Sequence, residues 1–405
     1  MTNVNPCTIF ISAAEQSADE HAAALIREFT RLRPGARFCG LAGPAMRAAG
    51  CDCLEDLTTR SAMAAAAFRR VPEAWLLLRR LKTHLGETPY DAAVMVDSPA
   101  LNLPIAKLCR SVNLPVLYYI APQTWAWGWR WWRNRRIRAR VDQIACIWPF
   151  EEAYFREADI PATFVGHPSF DRLLSQQPDP SRIAELRGSH APVVTLLPGS
   201  RRHVVDEVLP GQLEAAAALQ IRYPKARFLI VAANSEARAR IEQTLATRKK
   251  TLQTLTLMGD ADRAAAIVAA DFALVASGTV TLEVAYHGTP MIVMYNAGRW
   301  SYHLLGRWLI TTPHLSLPNI LAGRRIVPEF MPYFRSADPI IATAIEWLAS
   351  PSKLERVRHD LHEIIQPLAR EGAAQCAAAQ LARLIDAASS SRQGRSSSKK
   401  EAPVA

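Results

Sequence analysis

The sequence predicts an α/β protein in which two domains are each built around a parallel β-sheet. The 405 residues are too many for one ordinary domain, since globular domains cluster near ~100–150 residues. A hydrophobic fraction of 49% against 21% charged residues supplies enough apolar side chains for two cores. Short β-branched runs alternate with longer helical patterns along the chain, which is typical of βαβ units. This composition excludes a disordered, collagen-like or coiled-coil protein.

The first half of the chain contains five apolar runs of strand length. The predicted strands cover residues 8–12, 37–41, 92–96, 116–120 and 143–148. Helical patterns at 19–33 and 101–112 lie between them. We expect this half to form an N-terminal domain over residues 1–172.

A second series of strands follows a polar segment with two prolines at 176–189, which we interpret as a linker. The predicted strands and helices of this series are 193–197, 207–223, 227–232, 255–258, 272–276, 280–287 and 291–294. We expect a second domain over residues 173–350. Helices over 351–388 are expected to pack back toward the N-terminal domain, and residues 389–405 are expected to be a disordered basic tail.

The net charge of +11 is concentrated in two short stretches. Residues 128–140 contain six arginines and no acid, and residues 389–405 add a net +3. These stretches hold nine of the eleven charges, so the rest of the chain is almost neutral. An anionic partner would therefore be met locally and not by the whole surface.

The sequence predicts a cytoplasmic protein. The N-terminus carries no basic region of the kind that begins a signal peptide, and no apolar run approaches the ~20 residues that a membrane-spanning helix needs. The seven cysteines are scattered and form no C-x-x-C pair, which is typical of reduced thiols.

Carboxylates and an amide follow two predicted strands of the first domain. Glu15 and Asp19 come after the first strand, where a helix N-terminus favours an anion. Asp97 and Asn102 follow the strand at 92–96, where a carboxylate can act as a general base toward a hydroxyl group. Ligands of parallel sheets bind outside the carboxyl ends of the strands, so these residues are candidates for a site. The alternatives are a helix cap at Asp19 and a loop-capping role for Asp97.

Two glycine-containing turns of the second domain suit phosphate groups. In the turn Gly199-Ser200-Arg201, glycine permits a tight bend and the guanidinium group fits a phosphate. The turn Ser277-Gly278-Thr279 offers hydroxyl and N–H groups at a helix start, and Glu283, one turn further on, could accept from ribose hydroxyls. Two such turns in one domain predict a nucleotide site. The alternative for the first is a solvated turn with chance arginines.

No metal or other cofactor is expected. A D-x-D triplet, Asp260-Ala261-Asp262, is of a kind that some enzymes use to hold a metal, but here it precedes a helix whose start it could cap. The histidines show no metal-ligand spacing, and no Walker A motif is present.

Residues 125–136 interleave five of the ten tryptophans with arginines. Such a pattern is typical of an anionic membrane interface or of stacking on nucleic acid bases. The alternative is that Trp125 and Trp127 belong to the core and that a solvated basic helix follows. The candidate interface residues are Trp129, Trp131, Trp132, Arg133, Arg135 and Arg136.

Eight segments, in fixed order, resemble the lipid-A-disaccharide synthase family. They are GLAGPAMRAAG (40–50), VDSPALN (96–102), YYIAPQTWAW (118–127), WPFEEAYF (148–155), FVGHPSFD (164–171), LLPGSRR (196–202), LVASGTVTLE (274–283) and LSLPNILAGRRIVPE (315–329). The resemblance implies a GT-B glycosyltransferase, with two Rossmann-like domains facing across a cleft and a C-terminal helical segment. It also implies an inverting, metal-free transfer of 2,3-diacylglucosamine from UDP to the 6-hydroxyl of 2,3-diacylglucosamine 1-phosphate. The product is the β-1,6-linked lipid A disaccharide 1-phosphate.

The resemblance also implies roles for particular residues. Asp97 matches the family's general base, Arg201 its phosphate-contacting arginine and Glu15 its loop glutamate, so these three are expected to be catalytic. The substrate-binding residues that it implies are Asp19, Asn102, Gly199, Ser200, Ser277, Gly278, Thr279, Glu283, Asn319, Arg324 and Glu329. Because the implied substrates are acylated anionic lipids, the tryptophan and arginine stretch is expected at the cytoplasmic face of the inner membrane. No nucleic-acid partner is expected, and a homodimer rests on the resemblance alone.

The departures from the family pattern lie in the first domain, where the apolar residues 62–68 replace a V-M-G segment of the family. Ala14 and Ala18 replace glycines, and Ala100 replaces an aspartate. If the backbone requires positive φ at the two glycine positions, each alanine costs about 1 kcal/mol or more. Two alternatives therefore stand beside the synthase: an impaired synthase-like chain that binds a nucleotide-sugar or lipid, and a GT-B enzyme with a different acceptor.

Overall fold

The computed structural model describes residues 7–58, 71–126, 128–175, 177–189, 191–247, 252–296, 312–331 and 336–400. The chain forms two compact units. Unit 1 comprises Met1–Asp171 and Arg370–Ala405, and unit 2 comprises Arg172–Ala369. The chain therefore leaves unit 1, forms the whole of unit 2, and returns to unit 1.

Unit 1 is built on a seven-stranded parallel sheet with the strand order β3-β2-β1-β4-β5-β6-β7. The strands are β1 (Thr8–Ala13), β2 (Arg37–Leu41), β3 (Cys51–Glu55), β4 (Ala92–Val96), β5 (Val116–Tyr119), β6 (Gln143–Cys146) and β7 (Ala162–Phe164). All five side chains of β4 are buried. Such a continuous apolar strand is expected in a parallel sheet, because helices cover both of its faces.

In the described residues, seven helices connect these strands or follow them. They are α1 (Gln16–Leu32), α2 (Pro44–Ala48), α3 (Val71–Glu87), α4 (Pro99–Ser111), α5 (Arg130–Arg138), α6 (Pro149–Glu157) and α7 (Pro168–Ser175). Proline stands in the first turn of α2, α4 and α6, where its missing N–H is not needed by the helix. The core on one face of the sheet includes the fully buried rings of Phe10, Tyr118 and Phe155.

Residues 176–189, which the sequence predicts as a linker, include the helix α8 (Pro180–Arg187). Asp179 precedes it, and its side chain accepts a hydrogen bond from the backbone N–H of Ser181 at 2.9 Å. With an aspartate as N-cap and Pro180 in the first turn, this short segment has a well-formed helix start.

Unit 2 is built on a six-stranded parallel sheet with the strand order β10-β9-β8-β11-β12-β13. The strands are β8 (Val193–Leu197), β9 (Arg227–Val231), β10 (Leu255–Met258), β11 (Phe272–Ala276), β12 (Met291–Met294) and β13 (Glu329–Phe330). The helices are α9 (Arg202–Arg222), α10 (Ser235–Ala246), α11 (Arg263–Ala269), α12 (Val280–Tyr286), α13 (Leu317–Ala322), α14 (Asp338–Leu348) and α15 (Pro351–Ile365). The described part of unit 2 thus repeats the doubly wound order of unit 1.

The C-terminal helical region divides between the two units. Helix α15 packs against α12, α13 and α14 in unit 2, whereas α16 (Ala373–Lys400) packs along α1 in unit 1. Arg33 and Asp386 form an ion pair at 2.7 Å where α16 meets the end of α1. Residues 351–388 are predicted to pack toward the first domain. In the structure, α15 belongs to unit 2, and α16 belongs to unit 1.

The backbone of α16 continues to Lys400, through residues for which the sequence predicts disorder. Residues 373–400 contain no proline, and only Gly394 is a strong helix breaker. Once a helix has formed, each further residue adds a hydrogen bond without a new nucleation cost, so a serine-rich extension can follow the packed part.

Each sheet has one point at which the strand order reverses. In unit 1 it lies between β1 and β4, and in unit 2 it lies between β8 and β11. The loops that leave the two strands of such a pair run in opposite directions and open a crevice, which is where doubly wound sheets bind ligands.

Candidate active site

The reversal point of unit 1 brings Glu15 and Asp97 to the carboxyl ends of adjacent strands. Strands β1 and β4 are paired so that Ala13 lies beside Val96. Glu15 follows as the N-cap of α1, and Asp97 is the first residue after β4. Both side chains are partly exposed, so a ligand can reach them. The structure thus places two of the predicted catalytic carboxylates at the carboxyl end of the same sheet, after two neighbouring central strands.

Asp97 stands in a strained turn. Its φ is 51°, and the φ of Ser98 is 44°, so two successive non-glycine residues adopt the left-handed conformation. Each such residue costs roughly 1–3 kcal/mol, and residues of this kind cluster at functional sites.

Two buried side chains hold this turn through the carbonyl oxygen of Asp97. The Asn102 amide donates to it at 2.8 Å, and the Tyr118 hydroxyl donates at 2.6 Å. Burial raises the pKa of the Tyr118 hydroxyl well above its ordinary value, so it remains a donor. These bonds stabilise a backbone that would otherwise relax, and they fix the direction in which residue 97 leaves the strand.

Asn102 engages all of its polar atoms within unit 1. It is fully buried, its amide also donates to Val96 O at 2.9 Å, and its Oδ1 accepts from the Ser12 hydroxyl at 2.7 Å. It therefore ties β1 to β4 directly at the reversal point. Predicted as a substrate contact, Asn102 in this structure supports the loops around the site.

Asp19 also has its carboxylate engaged by the protein. It is buried, and it accepts backbone hydrogen bonds from Gly43 at 2.9 Å, Ala45 at 2.8 Å and Met46 at 3.2 Å. A Cβ on Gly43 would lie 2.5 Å from Asp19 Oδ2, so glycine is required for this approach. Asp19 thus connects α1 to the start of α2. The sequence suggests a cap of its own helix as the alternative, which would have been a local contact.

The two alanines that replace family glycines cause no left-handed strain. Neither Ala14 nor Ala18 is among the residues with positive φ, and Ala18 lies within α1. The cost that alanine would carry at a positive-φ position therefore does not arise here.

The reversal point of unit 2 brings together the two predicted phosphate turns. Gly199-Ser200-Arg201 follows β8, and Ser277-Gly278-Thr279 follows β11, its direct neighbour in the sheet. Gly199 has a φ of 107°, and a Cβ there would lie 2.8 Å from Val204 Cγ1, so only glycine fits this bend. Arg201 is the exposed N-cap of α9, whose 21 residues direct a positive helix end toward the turn.

Glu283 lies beside a polar cavity of about 610 Å³ in unit 2. We call it the arginine cavity, after Arg172, Arg182 and Arg263, which line it with Asp260, Asp262 and Glu283. Its volume is in the range that holds a small organic ligand. The Glu283 side chain is 7% exposed, and it pairs with Arg263 at 2.9 Å and with Arg172 at 3.4 Å.

Both carboxylates of the D-x-D triplet are held in ion pairs. Asp262 accepts from Arg182 at 2.9 and 3.2 Å, and Asp260 pairs with Arg263. The part of the chain that the structure describes contains no group of three or more side chains arranged to ligate a metal.

The segment with the sequence PNILAGR is organised by Asn319 and Glu329. Asn319 is fully buried, accepts from the backbone of Ile326 at 2.7 Å, and donates to Glu329 Oε1 at 2.7 Å. Glu329 also accepts from the backbone N–H of Ser316 at 2.8 Å. Arg324 is exposed and pairs with Asp360 of α15 at 3.1 Å. Asn319 and Glu329, both predicted to bind substrate, therefore shape this loop, and Arg324 is the member that solvent reaches.

Helix α5 presents the predicted interface residues at the surface. Trp129, Trp131 and Trp132 are 78%, 72% and 51% exposed. The guanidinium groups of Arg135 and Arg136 lie 5.5 and 4.5 Å from the ring centroids of Trp131 and Trp132. Indole rings exposed to this extent are unusual on a protein surface. Arg133, partly buried, donates from Nε to the carbonyl oxygen of Gly128 at 3.1 Å.

Trp125 is a core residue, as one of the sequence interpretations has it; Trp127 lies outside the described residues. The Trp125 indole N–H donates at 2.9 Å to Glu151, which is fully buried at the start of α6. Burial raises the pKa of Glu151 to about 7. This buried pair anchors the segment that leads into α5.

Sequence reasoning missed Tyr118, Glu151, His167 and Arg263 as residues of interest. Burial between Trp148 and Phe170 lowers the pKa of His167 to about 3, so it is neutral at ordinary pH. Tyr118 and Glu151 resemble ordinary strand and helix residues until the fold supplies their partners. Arg263 follows the D-x-D triplet directly, and an arginine beside two acids was a signal that could have identified it.

Comparison with known proteins assigns the chain to one family over almost its whole length. The family model described as lipid-A-disaccharide synthetase matches residues 9–385. The lipid-A-disaccharide synthase of Syntrophus aciditrophicus is 34% identical over 385 residues, which cover 94% of this chain and 99% of the relative. Further relatives between 33% and 36% identical carry the same name.

Solved structures with low sequence identity share the fold. The calicheamicin glycosyltransferase CalG4 superposes with a TM-score of 0.60 at 15% identity, covering 95% of this chain and 99% of that one. The UDP-GlcNAc 2-epimerase of Neisseria meningitidis, bound to UDP-GlcNAc, gives 0.58 at 13% identity, covering 93% and 99%. The predicted GT-B fold class, with a Rossmann-like sheet in each unit, is confirmed.

Proposed function

The chain belongs to the lipid-A-disaccharide synthase family, and on that premise we propose the reaction that it catalyses and the residues that carry it. It is a hexosyltransferase that acts on a nucleotide-sugar and a lipid acceptor. The donor is UDP-2,3-diacylglucosamine and the acceptor is 2,3-diacylglucosamine 1-phosphate. The products are the β-1,6-linked lipid A disaccharide 1-phosphate and UDP.

The placement of four predicted segments at two reversal points supports this assignment most directly. The carboxylates Glu15 and Asp97 follow adjacent strands in unit 1, and the two phosphate turns follow adjacent strands in unit 2. A transfer from a nucleotide-sugar to a hydroxyl needs two kinds of group: a base for the hydroxyl proton and positive groups for the leaving diphosphate. Unit 1 supplies the first kind, and unit 2 supplies the second.

In the proposed step, the acceptor 6-hydroxyl attacks the anomeric carbon of the donor sugar. Its proton passes to the Asp97 carboxylate, and the bond between that carbon and the UDP oxygen breaks, with both electrons leaving on UDP. A single displacement inverts the anomeric configuration. Glu15 follows the neighbouring strand as the N-cap of α1 and is proposed to assist on the acceptor side.

Charge on the departing UDP is proposed to be stabilised without a metal. Arg201 supplies a guanidinium group at the N-terminus of α9, and Ser277, Gly278 and Thr279 supply N–H and hydroxyl groups. Glu283 accepts from the ribose hydroxyls. Arg324 leaves its surface partner Asp360 and binds the phosphates instead. Surface ion pairs of this kind contribute little to the free energy of folding, so the exchange costs little.

We also propose that the protein binds the cytoplasmic face of the inner membrane through α5. None of the helices in the described part of the chain combines the length and apolar character needed to cross a bilayer. The exposed Trp129, Trp131 and Trp132 suit the headgroup region, and the adjacent arginines suit anionic lipids. This arrangement would hold the enzyme where its acylated substrates lie. Homodimerisation is proposed from the family alone.

One assay tests the reaction. The purified protein is incubated with UDP-2,3-diacylglucosamine and 2,3-diacylglucosamine 1-phosphate, and the products are analysed by mass spectrometry. We expect the disaccharide 1-phosphate and UDP in equal amounts. UDP binding without product would instead favour a chain that binds nucleotide-sugars without catalysis.

A further inference from the structure

The arginine cavity is lined by a buried ion pair, formed by Arg263 and Glu283. Arg263 Nε lies 2.9 Å from Glu283 Oε2, and the two side chains are only 14% and 7% exposed. A carboxylate buried to this extent requires a close partner, because it has lost most of its hydration. Arg263 is that partner: Arg172, 3.4 Å from the same oxygen, is 47% exposed.

Arg263 is itself held in place from a second direction. Its NH1 group pairs with Asp260, in the turn that follows β10, while its Nε contacts Glu283 on α12. The guanidinium plane is rigid, so two contacts at different nitrogens fix its orientation. Arg263 therefore connects the turn after β10 to the helix that begins at the second phosphate turn.

The two arginines contact the same carboxylate oxygen. Both bond Oε2 of Glu283, and in the described part of the chain no side chain or backbone group donates a hydrogen bond to Oε1. Since Glu283 lines the cavity, Oε1 is the oxygen left for a ligand. Each carboxylate oxygen has two lone pairs, so Oε1, once its position is fixed, can accept from the two vicinal hydroxyls of a ribose.

We propose that Arg263 is a positioning residue that fixes the Glu283 carboxylate for the ribose diol, and that unit 2 thereby selects ribonucleoside over 2′-deoxyribonucleoside diphosphates. This inference rests on the proposed nucleotide site of unit 2. It adds a positioning residue, Arg263, to the ribose contact proposed for Glu283. Arg172, being exposed and more distant, is not expected to replace Arg263.

Calorimetric titration of the full-length protein with UDP and with 2′-deoxy-UDP tests this. We expect the wild type to bind UDP about tenfold or more tightly than 2′-deoxy-UDP, the scale of a hydrogen bond to a charged group. Arg263→Gln should weaken UDP binding to the level of 2′-deoxy-UDP while leaving the affinity for 2′-deoxy-UDP almost unchanged. Arg263→Lys, which keeps the charge but not the planar fork, should recover part of the difference.

Arg187→Gln is the matched control. Arg187 pairs with Asp271 at 2.6 Å at the amino end of the same sheet, opposite to the carboxyl end at which the phosphate turns lie. It should keep the wild-type ratio of the two affinities. If Arg263→Gln weakens the binding of UDP and of 2′-deoxy-UDP by the same factor, Arg263 has a purely structural role and the inference is overturned. Wild-type affinity for both ligands in this variant would overturn it as well. If Arg263→Gln does not fold, a wild-type ratio in Arg263→Lys overturns it equally.

The wild type separates this inference from the proposed function. Tight binding of UDP with no preference over 2′-deoxy-UDP would overturn the role of Arg263 and leave the nucleotide site standing. A wild type that binds neither ligand would overturn the nucleotide site, and the inference with it.

Discussion

The hydroxyl of Tyr118 donates a hydrogen bond to the carbonyl oxygen of Asp97 at 2.6 Å, from the neighbouring strand. This bond restrains a backbone in the left-handed region, so its loss should let residue 97 relax away from its working position. Tyr118→Phe is expected to lower kcat about tenfold with little change in KM for either substrate, since one hydrogen bond is worth about 1 kcal/mol and misplacement of the base adds to it.

Tyr119→Phe is the matched control for this prediction. Tyr119 is equally buried on the same strand, but its hydroxyl has no hydrogen-bond partner among the described residues. Steady-state kinetics should therefore show wild-type turnover in Tyr119→Phe. Equal turnover in the two variants would mean that the Tyr118 bond does not position Asp97.

Asp97→Ala and Arg201→Ala should each lower turnover at least ~10²-fold, the scale of losing one acid–base or charge-stabilising group. The two variants should differ in ligand binding, because the residues lie in different units. Calorimetry should show wild-type UDP affinity in Asp97→Ala and weakened UDP affinity in Arg201→Ala. Near-normal turnover in either variant would remove that residue from the proposed mechanism.

Asn102→Ala should reduce the stability of the protein as well as its activity. The change removes the Asn102 partner of the buried Ser12 hydroxyl and of the Val96 carbonyl oxygen, and each group left without a hydrogen bond costs about 1–3 kcal/mol. The carbonyl oxygen of Asp97 keeps its bond from Tyr118. Chemical denaturation should therefore show a lower free energy of unfolding. A variant that is inactive but as stable as the wild type would favour a direct contact between Asn102 and the substrate.

Binding to liposomes should depend on α5. Replacing Arg133, Arg135 and Arg136 by Gln removes three positive charges, so sedimentation with anionic liposomes should fall, as it should in the wild type at high salt. The control variant replaces the exposed Arg187, Arg238 and Arg356 of unit 2, which changes the net charge equally. If both variants lose binding to the same extent, net charge and not α5 would be responsible.

Protonation of Glu151 should be visible at Trp125. Burial raises the pKa of Glu151 from its ordinary value of 4.5 to about 7, so the folded protein holds a proton that the unfolded chain has lost in that interval. The contribution of Glu151 to the free energy of unfolding is therefore greatest below pH 4.5 and declines as the pH rises toward 7.

Nuclear magnetic resonance provides the measurement. The indole N–H signal of Trp125, identified by its loss in Trp125→Phe, should shift with a midpoint near pH 7, because that N–H donates to the titrating carboxylate. Glu151→Gln should abolish the shift. A midpoint near the ordinary value of a glutamate would show that the carboxyl is hydrated.

Much of the fold could be predicted because its central strands are continuously apolar. The predicted bounds of β2, β4, β8, β10, β11 and β12 agree with the structure. The strands that were missed are β3, β7 and β13, which lie at or toward the edges of the sheets. β3 carries exposed polar residues, while β7 and β13 have only three and two residues, so no periodic pattern can form.

The sequence predicted where the candidate site lies, but not which of its polar side chains face a ligand and which support the loops. Motifs at strand ends located Asp97 and Arg201, since the chain order of a doubly wound sheet brings such ends together. Asn102, Asp19 and Asn319 lie in motifs of the same kind, yet their polar atoms are engaged by other groups of the protein. Only the folded chain shows whether a polar side chain in a motif is available to a ligand.

The return of the chain to unit 1 constrains the order in which the protein can be assembled during synthesis. Unit 2 is continuous, so it can fold as soon as residue 369 has left the ribosome. Unit 1 has its sheet early but receives α16 only after unit 2 has been translated, and until then the face of α1 against which α16 packs stays uncovered. The apolar residues of that face are therefore open to premature association in the nascent chain, and a truncation before α16 would make that exposure permanent.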